Sequence, residues 1–380
     1  MNGSLKIGSL FGFPILIHWT FIIIIPLLAW IIGVQIQLTT ELIQGFYGIS
    51  TIDTSLITSG WIPYILGAIV AIGLFVGVLI HEIAHSIVAK RNGIKINSIT
   101  LLIFGGVSSM EEGIPDPKVE LPMALAGPLT SFFLGLLSSG IMYGLTYVTI
   151  DPPLLGALVF LFGYLGLLNI LLFGFNMIPA FPMDGGRVLR AGLARRMSMP
   201  EATRVAANIG KVFAVIFGIV GVFLLNPILI IIAFFIYIGA GQEASAVRYS
   251  YLLQDVKVGD MMSSPVTTVP PTMSVRDVLT DMYKSKHLGF PVVEAGRLVG
   301  IVTLEDVHKT KAIDRDAMLV KDIMTRQPST ITPEAPVIDA LQIMAIRNIG
   351  RIPVEKDGQL VGIVTRTDIV KVIELRELRG

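Results

Sequence analysis

Six apolar runs, each about as long as a membrane span, fill the first two thirds of this chain and limit what it can become. They occupy residues 13–34, 61–89, 121–149, 154–175, 205–225 and 227–246. A helix rises about 1.5 Å per residue, so about 20 apolar residues cross a hydrocarbon layer of about 30 Å. Charge marks where the pattern stops: residues 1–247 hold 11 Lys/Arg and 11 Asp/Glu, whereas residues 248–380 hold 18 and 17. The second density is that of an ordinary soluble domain, and the first suits a protein solvated by lipid. The expected organisation is a membrane body over residues 1–247, a linker over 248–257 and a soluble tail. The first run is too long for a secretory signal and lacks a small-residue cleavage site, so it reads as a membrane helix.

Basic residues give this body an orientation. Lys6 precedes the first run; Lys90, Arg91, Lys95 and Lys118 separate the second from the third; Arg187 to Lys211 separate the fourth from the fifth; Arg248 follows the sixth. Residues 34–60, residues 150–153 and the Asn226-Pro227 turn carry no Lys or Arg. The positive-inside rule then predicts a multi-pass protein of the cell membrane with both termini cytoplasmic and with Trp30 and Trp61 at the outer interface. A net charge of +1 without a basic block offers nothing to nucleic acid. The chain has no cysteine, so a metal would be held by His, Asp or Glu.

Inside the second run stands His81-Glu82-Ile83-Ala84-His85. Helix positions i and i+4 lie about 40° apart around the axis, so both imidazoles can face one ion, with Glu82 beside it. This is the spacing of a zinc-protease helix, in which the carboxylate activates a water on the metal. Charged groups at a bilayer centre cost about 2.5–3.5 kcal/mol each, which argues against an accidental match. The fourth run ends in Asn176-Met177-Ile178-Pro179-Ala180-Phe181-Pro182-Met183-Asp184-Gly185-Gly186-Arg187, where two prolines and a glycine pair interrupt the helix. Broken backbone at membrane depth persists only where protein buries it or a watery cavity adjoins it. Asp184 is the expected third ligand, and two imidazoles with one carboxylate leave a fourth tetrahedral position open, as catalytic sites do. The alternative is that Asp184 caps the helix that follows.

These motifs resemble those of the site-2 protease family of intramembrane zinc metalloproteases, with H-E-x-x-H on one span and N-x-x-P-x-x-x-x-D-G on a later one. The resemblance covers residues 1 to about 247. It implies one Zn2+ held by His81, His85 and Asp184, with Glu82 as general base and acid and Asn176 assisting the substrate or the developing oxyanion. It also implies a membrane-tethered protein substrate, cut within its transmembrane helix near the cytoplasmic face. Met183 stands where the family usually has leucine, an apolar exchange that leaves the ligand in place. Ala126-Gly127-Pro128 resembles the family core as well. Independently, Gly127, Ser131, Gly135 and Ser139 recur every four residues, a stripe for close helix packing. His18 and Glu243 are expected at membrane interfaces, outside the catalytic cluster.

Residues 98–107 are rich in β-branched side chains and include the pair Gly105-Gly106, which predicts a strand rather than a seventh span. A substrate helix must unwind before hydrolysis. The strand either pairs with the unwound substrate by β-augmentation or is a packed connecting hairpin.

The tail repeats itself at an offset of 62 residues: Val258-Gly259-Asp260-Met261-Met262 matches Val320-Lys321-Asp322-Ile323-Met324, and Gly300-Ile301-Val302-Thr303 matches Gly362-Ile363-Val364-Thr365. Short β-branched runs alternate with helical stretches, an α+β pattern. The doubled unit resembles a tandem pair of CBS domains, residues 258–310 and 320–373. That resemblance implies clefts for an adenine nucleotide (ATP, ADP or AMP). Thr303 and Asp306 would contact it in the first copy, Thr365 and Asp368 in the second, with Gly300 and Gly362 permitting close approach. A homodimer through these domains is a further implication. Thr-x-x-Asp at a strand-to-helix turn equally describes a helix cap that needs no ligand.

The expected fold is a polytopic α-helical membrane protein, six transmembrane helices with a short membrane-associated β segment, plus an α+β tandem CBS pair. The expected function is an intramembrane zinc endopeptidase regulated by nucleotide. The competing class is a CBS-gated ion transporter or channel, because discontinuous helices and buried carboxylates serve transport too. A His, His, Asp set favours tight zinc binding over the reversible exchange that transport requires.

Overall fold

The computed structural model describes residues 3–49, 52–103, 105–110, 116–149 and 151–378, which divide into two units between Val247 and Arg248. The first unit contains β1 (Ser4–Leu10), β2 (Phe13–His18), α1 (Phe21–Val34), α2 (Ile36–Tyr47), α3 (Ile62–Arg91), β3 (Ile96–Leu102), β4 (Gly105–Met110), α4 (Pro117–Leu145), α5 (Pro152–Asn176), α6 (Asp184–Leu193), α7 (Met199–Phe223) and most of α8 (Pro227–Leu252). Proline opens α3, α4, α5 and α7 within their first turn, where its missing N–H has no helical partner to lose. Lys90 and Arg91 close α3 against the negative end of its dipole. Among the described residues, five helices are long and apolar enough to cross a membrane, or six if α1 and α2, which meet at 75°, form one bent span.

The first apolar run is not the helix its hydropathy predicts. Phe13–His18 is a strand, paired antiparallel with β1 and parallel with β3. Gly12, at φ +84°, turns β1 into β2, and Pro14 with two isoleucines suits extended backbone better than helix. The 14 residues left for α1 rise only about 21 Å, short of a full span. The single strand expected over residues 98–107 is likewise two strands of a hairpin; Phe104, between them, lies outside the described residues. The β segment is therefore a four-stranded sheet in the order β1-β2-β3-β4, with β3 internal and β4 at an edge. Phe13, Ile15 and Ile99 from this sheet pack on Ile83 of α3, which seats the sheet beside the His81–His85 turn.

The small-residue stripe of α4 is a helix contact, as its spacing implies. A Cβ on Gly135 would lie 3.1 Å from the Gly166 carbonyl of α5, and Ser139 hydrogen-bonds Tyr47 of α2 at 2.8 Å. Between the first two runs, α2 buries Ile36 and Ile43 with Ile57 against Phe160 of α5. Residues 50 and 51 of this connection lie outside the described ones.

The second unit holds α9 (Val275–Ser285), β5 (Gly289–Glu294), β6 (Arg297–Thr303), α10 (Leu304–Lys309), α11 (Val320–Ile323), β7 (Thr325–Arg326), α12 (Val337–Ile346), β8 (Arg351–Lys356), β9 (Gln359–Thr365) and α13 (Arg366–Glu377). The repeat is visible in the registers: Gly289 pairs with Thr303 in one copy and Arg351 with Thr365 in the other. Each copy also completes the other's sheet, since β7 pairs with β6 while Ser263 bridges to Ile363 of β9. Val278, Phe290, Val302 and Val307 form one core, and Val337, Ile352, Val364 and Ile369 the other.

Candidate metal centre

Helix α3 presents His81 and His85 on one face, and α6 brings Asp184 to them from 99 residues further along the chain. Their Nε2 atoms stand 3.1 Å apart, and each lies 3.2 Å from Asp184 Oδ2. Both imidazoles are buried, and Asp184 nearly so. Asp184 makes no cap: it follows the N-cap residue Met183, whose own side chain makes none either. The break at residues 177–183 is a tight loop. A Cβ on Gly185 would collide with the Met177 and Ile178 carbonyls, and one on Gly186 would lie 2.6 Å from Phe181 N, so backbone packs on backbone here. Met183 is buried with Ala214 of α7 and Ile236 of α8, which fixes the loop from the other side.

The far nitrogens of both rings are already engaged. His85 Nδ1 donates to the Met123 carbonyl at 2.6 Å, so its Nε2 carries the lone pair. His81 Nδ1 lies 2.9 Å from Ser131 Oγ. Two imidazole nitrogens and a carboxylate oxygen converging on one point repel unless a cation lies among them. Ligands about 2.0–2.1 Å from zinc at tetrahedral angles stand about 3.3 Å apart, close to the edges of this triangle. Gly127 of α4 faces the same point, and a Cβ there would lie 2.6 Å from His81 Nε2 and closer still to His85 Nε2. The donor set fits a zinc ion. It is the one cluster of three or more potential ligands among the described residues.

Glu82 projects beside this triangle, where Ser108 Oγ of β4 donates to its Oε2 at 2.8 Å and Ser86 Oγ lies 3.2 Å from Ser108 Oγ. A cavity of about 600 Å3 opens over the site, and its wall includes Glu82, Asn176, His18 and Arg187. The Asn176 amide donates to Leu172 of its own helix at 3.0 Å, so Asn176 lines the cavity without bonding the triangle. Sequence reasoning placed His18 away from the site because its run read as a helix; as the last residue of β2 it reaches the cavity. Ser108, Met123 and Ser131 carried no signal of their own beyond the place of Ser131 in the α4 stripe. Glu243, expected at an interface, pairs with the buried Arg190 at 2.8 Å.

In the tail, each Thr-x-x-Asp closes on itself. Asp306 Oδ2 accepts from Thr303 N at 2.9 Å and Thr303 Oγ1 at 2.7 Å; Asp368 Oδ2 accepts from Thr365 N at 3.0 Å and Thr365 Oγ1 at 2.6 Å. Gly300 and Gly362 receive the thioethers of Met324 and Met262 where a Cβ would stand. A cavity of about 390 Å3 has Asp306, Lys309 and Lys311 in its wall. Burial pulls the Arg351 guanidinium below its ordinary pKa, and its Nη1 donates to the Gly289 carbonyl at 2.8 Å.

Comparison with known proteins agrees with both halves. Residues 69–152 and 146–220 match Peptidase family M50, and residues 258–312 and 320–375 match the CBS domain. The zinc metalloprotease MJ0392 of Methanocaldococcus jannaschii is 36% identical over 379 residues, covering 100% of this chain and 98% of the relative. The solved site-2 protease from Methanocaldococcus jannaschii is 38% identical, covering 63% of this chain and 95% of that one, with a TM-score of 0.42. The CBS domain pair of protein MJ0100, solved with 5′-methylthioadenosine and S-adenosyl-L-methionine, is 31% identical and covers 32% of this chain and 98% of that one, with a TM-score of 0.30. The chain belongs to the site-2 protease family, peptidase family M50, and carries a tandem CBS pair. It is a zinc metalloendopeptidase of a membrane-embedded family.

Proposed function

We propose that the chain cleaves transmembrane segments of membrane-tethered proteins near the cytoplasmic face, under the control of an adenine nucleotide bound by its tail. The carrying observation is the triangle of His81, His85 and Asp184 with Glu82 at its side. His81, His85 and Asp184 hold the metal; when bound, a zinc ion supplies Lewis acidity and brings a water's pKa towards about 7. Glu82, held by Ser108, takes the proton from the attacking water and passes it to the leaving amine. Ser131 and the Met123 carbonyl keep the imidazoles turned to the ion. Asn176 and His18 stand in the cavity wall, where an unwound peptide would lie. With both termini cytoplasmic, Lys90 and Arg91 bring this end of α3 close to the cytoplasmic surface, from which water enters.

Edge strand β4 is the natural partner for that peptide, since its outer side pairs with no other strand among the described residues and Ser108 ties it to Glu82. Proline at a β4 position whose N–H faces away from β3 abolishes cleavage while zinc content is kept; unchanged cleavage removes β4 from the mechanism. In the tail, the cavity walled by Asp306, Lys309 and Lys311 offers cations for phosphate and a carboxylate for ribose. A membrane-embedded test substrate, with and without chelator and beside Glu82→Gln, tests the protease reading. The variant keeps zinc and loses cleavage; ion flux without proteolysis would return the chain to the transporter class.

A further inference from the structure

A buried arginine near Asp184 takes no part in the chemistry above. Arg190, in α6, is 3% exposed. Its Nε donates to Glu120 Oε1 of α4 at 2.9 Å, Nη2 donates to the same oxygen, and Nη1 donates to Glu243 Oε1 of α8 at 2.8 Å. Its guanidinium also lies 4.9 Å from the ring centroid of Phe181, in the loop that delivers Asp184. One cation thus ties together α4, α8, the loop and its own helix.

This network is costly to keep. Glu120 is 0% exposed, and its Oε2 has no hydrogen-bond partner among the described residues. A buried ion pair with an unmatched oxygen is poor stabilisation, which apolar side chains could replace without loss. Ionised groups within a membrane protein's interior are functional by default. The placement supplies the function: α4 also carries Gly127 and Ser131, which face the two imidazoles, and α6 begins with Asp184. Helix α6 has only 10 residues and follows an interrupted span, so its own backbone does not fix where its first side chain points.

We propose that Arg190 is a positioning residue: by locking α6 to α4 and α8 it holds Asp184 in register with His81 and His85 and sets how long the metal stays bound. The inference rests on the reading of Asp184 as a ligand. Arg190→Lys keeps the charge but lacks the planar fork that reaches two carboxylates at once. The full chain in detergent, loaded with Zn2+ or Co2+, is the test. Arg190→Lys releases Zn2+ to a chelator about tenfold faster and alters the visible Co2+ absorption band, while the metal-free protein melts within a few degrees of wild type. Wild-type release with an unchanged band overturns the proposal, as does faster release that merely tracks a fall in metal-free stability. Should Arg190→Lys not fold, Glu243→Ala, at the more exposed end of the network, decides: faster release supports the proposal and unchanged release overturns it. Asp184→Asn runs alongside. If it retains zinc like wild type, the ligand reading fails; if it loses zinc while Arg190→Lys does not, only the positioning role fails.

Discussion

Asp184 in the membrane unit and Asp306 and Asp368 in the tail all stand in the first turn of a helix, yet they spend their oxygens in opposite ways. Both tail carboxylates accept from a threonine three residues back, so the turn satisfies itself. Asp184 makes no bond within its own turn, and its Oδ2 faces two imidazoles from another helix. An acid satisfied by its neighbours stabilises the helix it begins. One that forgoes the local bond in a buried place is held there by something outside its own helix, here the two imidazoles and the metal we propose the three share.

The contrast breaks most sharply if Asp184 proves to be dispensable. Asp184→Asn is expected to lose zinc, measured as metal per chain, and all detectable cleavage, because two imidazoles alone leave the site a ligand short. Glu82→Gln separates holding from chemistry: zinc stays at one per chain while the rate falls by about 10²–10⁴. Gly127→Ala asks whether the space over the imidazoles is needed, since its methyl would enter it; zinc content drops although no ligand has changed. Ser108→Ala should be milder. Losing one hydrogen bond to a charged group costs about 1.5–3 kcal/mol, or about ten- to a hundredfold in the rate, with zinc unaffected.

What the sequence disclosed follows the same division between local and distant. Helix spacing alone put His81 and His85 on one face, and the Pro and Gly residues around Asp184 marked a break. The tail's offset repeat showed as two matched hairpins, because each register is set by its own turn. The N-terminal strands were hidden because Phe13–His18 is apolar enough for a span, and what makes it a strand is pairing with residues far along the chain. Ser108 and the Arg190 network were hidden for the same reason. Nothing near them in the chain says which partner they meet.

The smallest expected effect lies in the tail and tests whether local satisfaction excludes binding. In each Thr-x-x-Asp both hydrogen bonds end on Oδ2 of the aspartate. Neither pair of threonine bonds uses Oδ1, so capping would not compete with the nucleotide contact proposed above. Thr303→Val removes the cap alone and should lower the tail's local stability by about 0.5–2 kcal/mol, read by hydrogen exchange in the full chain, with cleavage in the absence of nucleotide unchanged. Asp306→Asn keeps an oxygen for the cap but weakens the acceptor beside Lys309 and Lys311. At AMP concentrations about 100 times its Kd, wild type gains about 2.7 kcal/mol from the ligand. Asp306→Asn should lose most of that gain while Thr303→Val keeps it. If both variants keep it, the Asp306 carboxylate is a cap and nothing more, and the tail's acids would then stand wholly apart from the one that faces the two imidazoles.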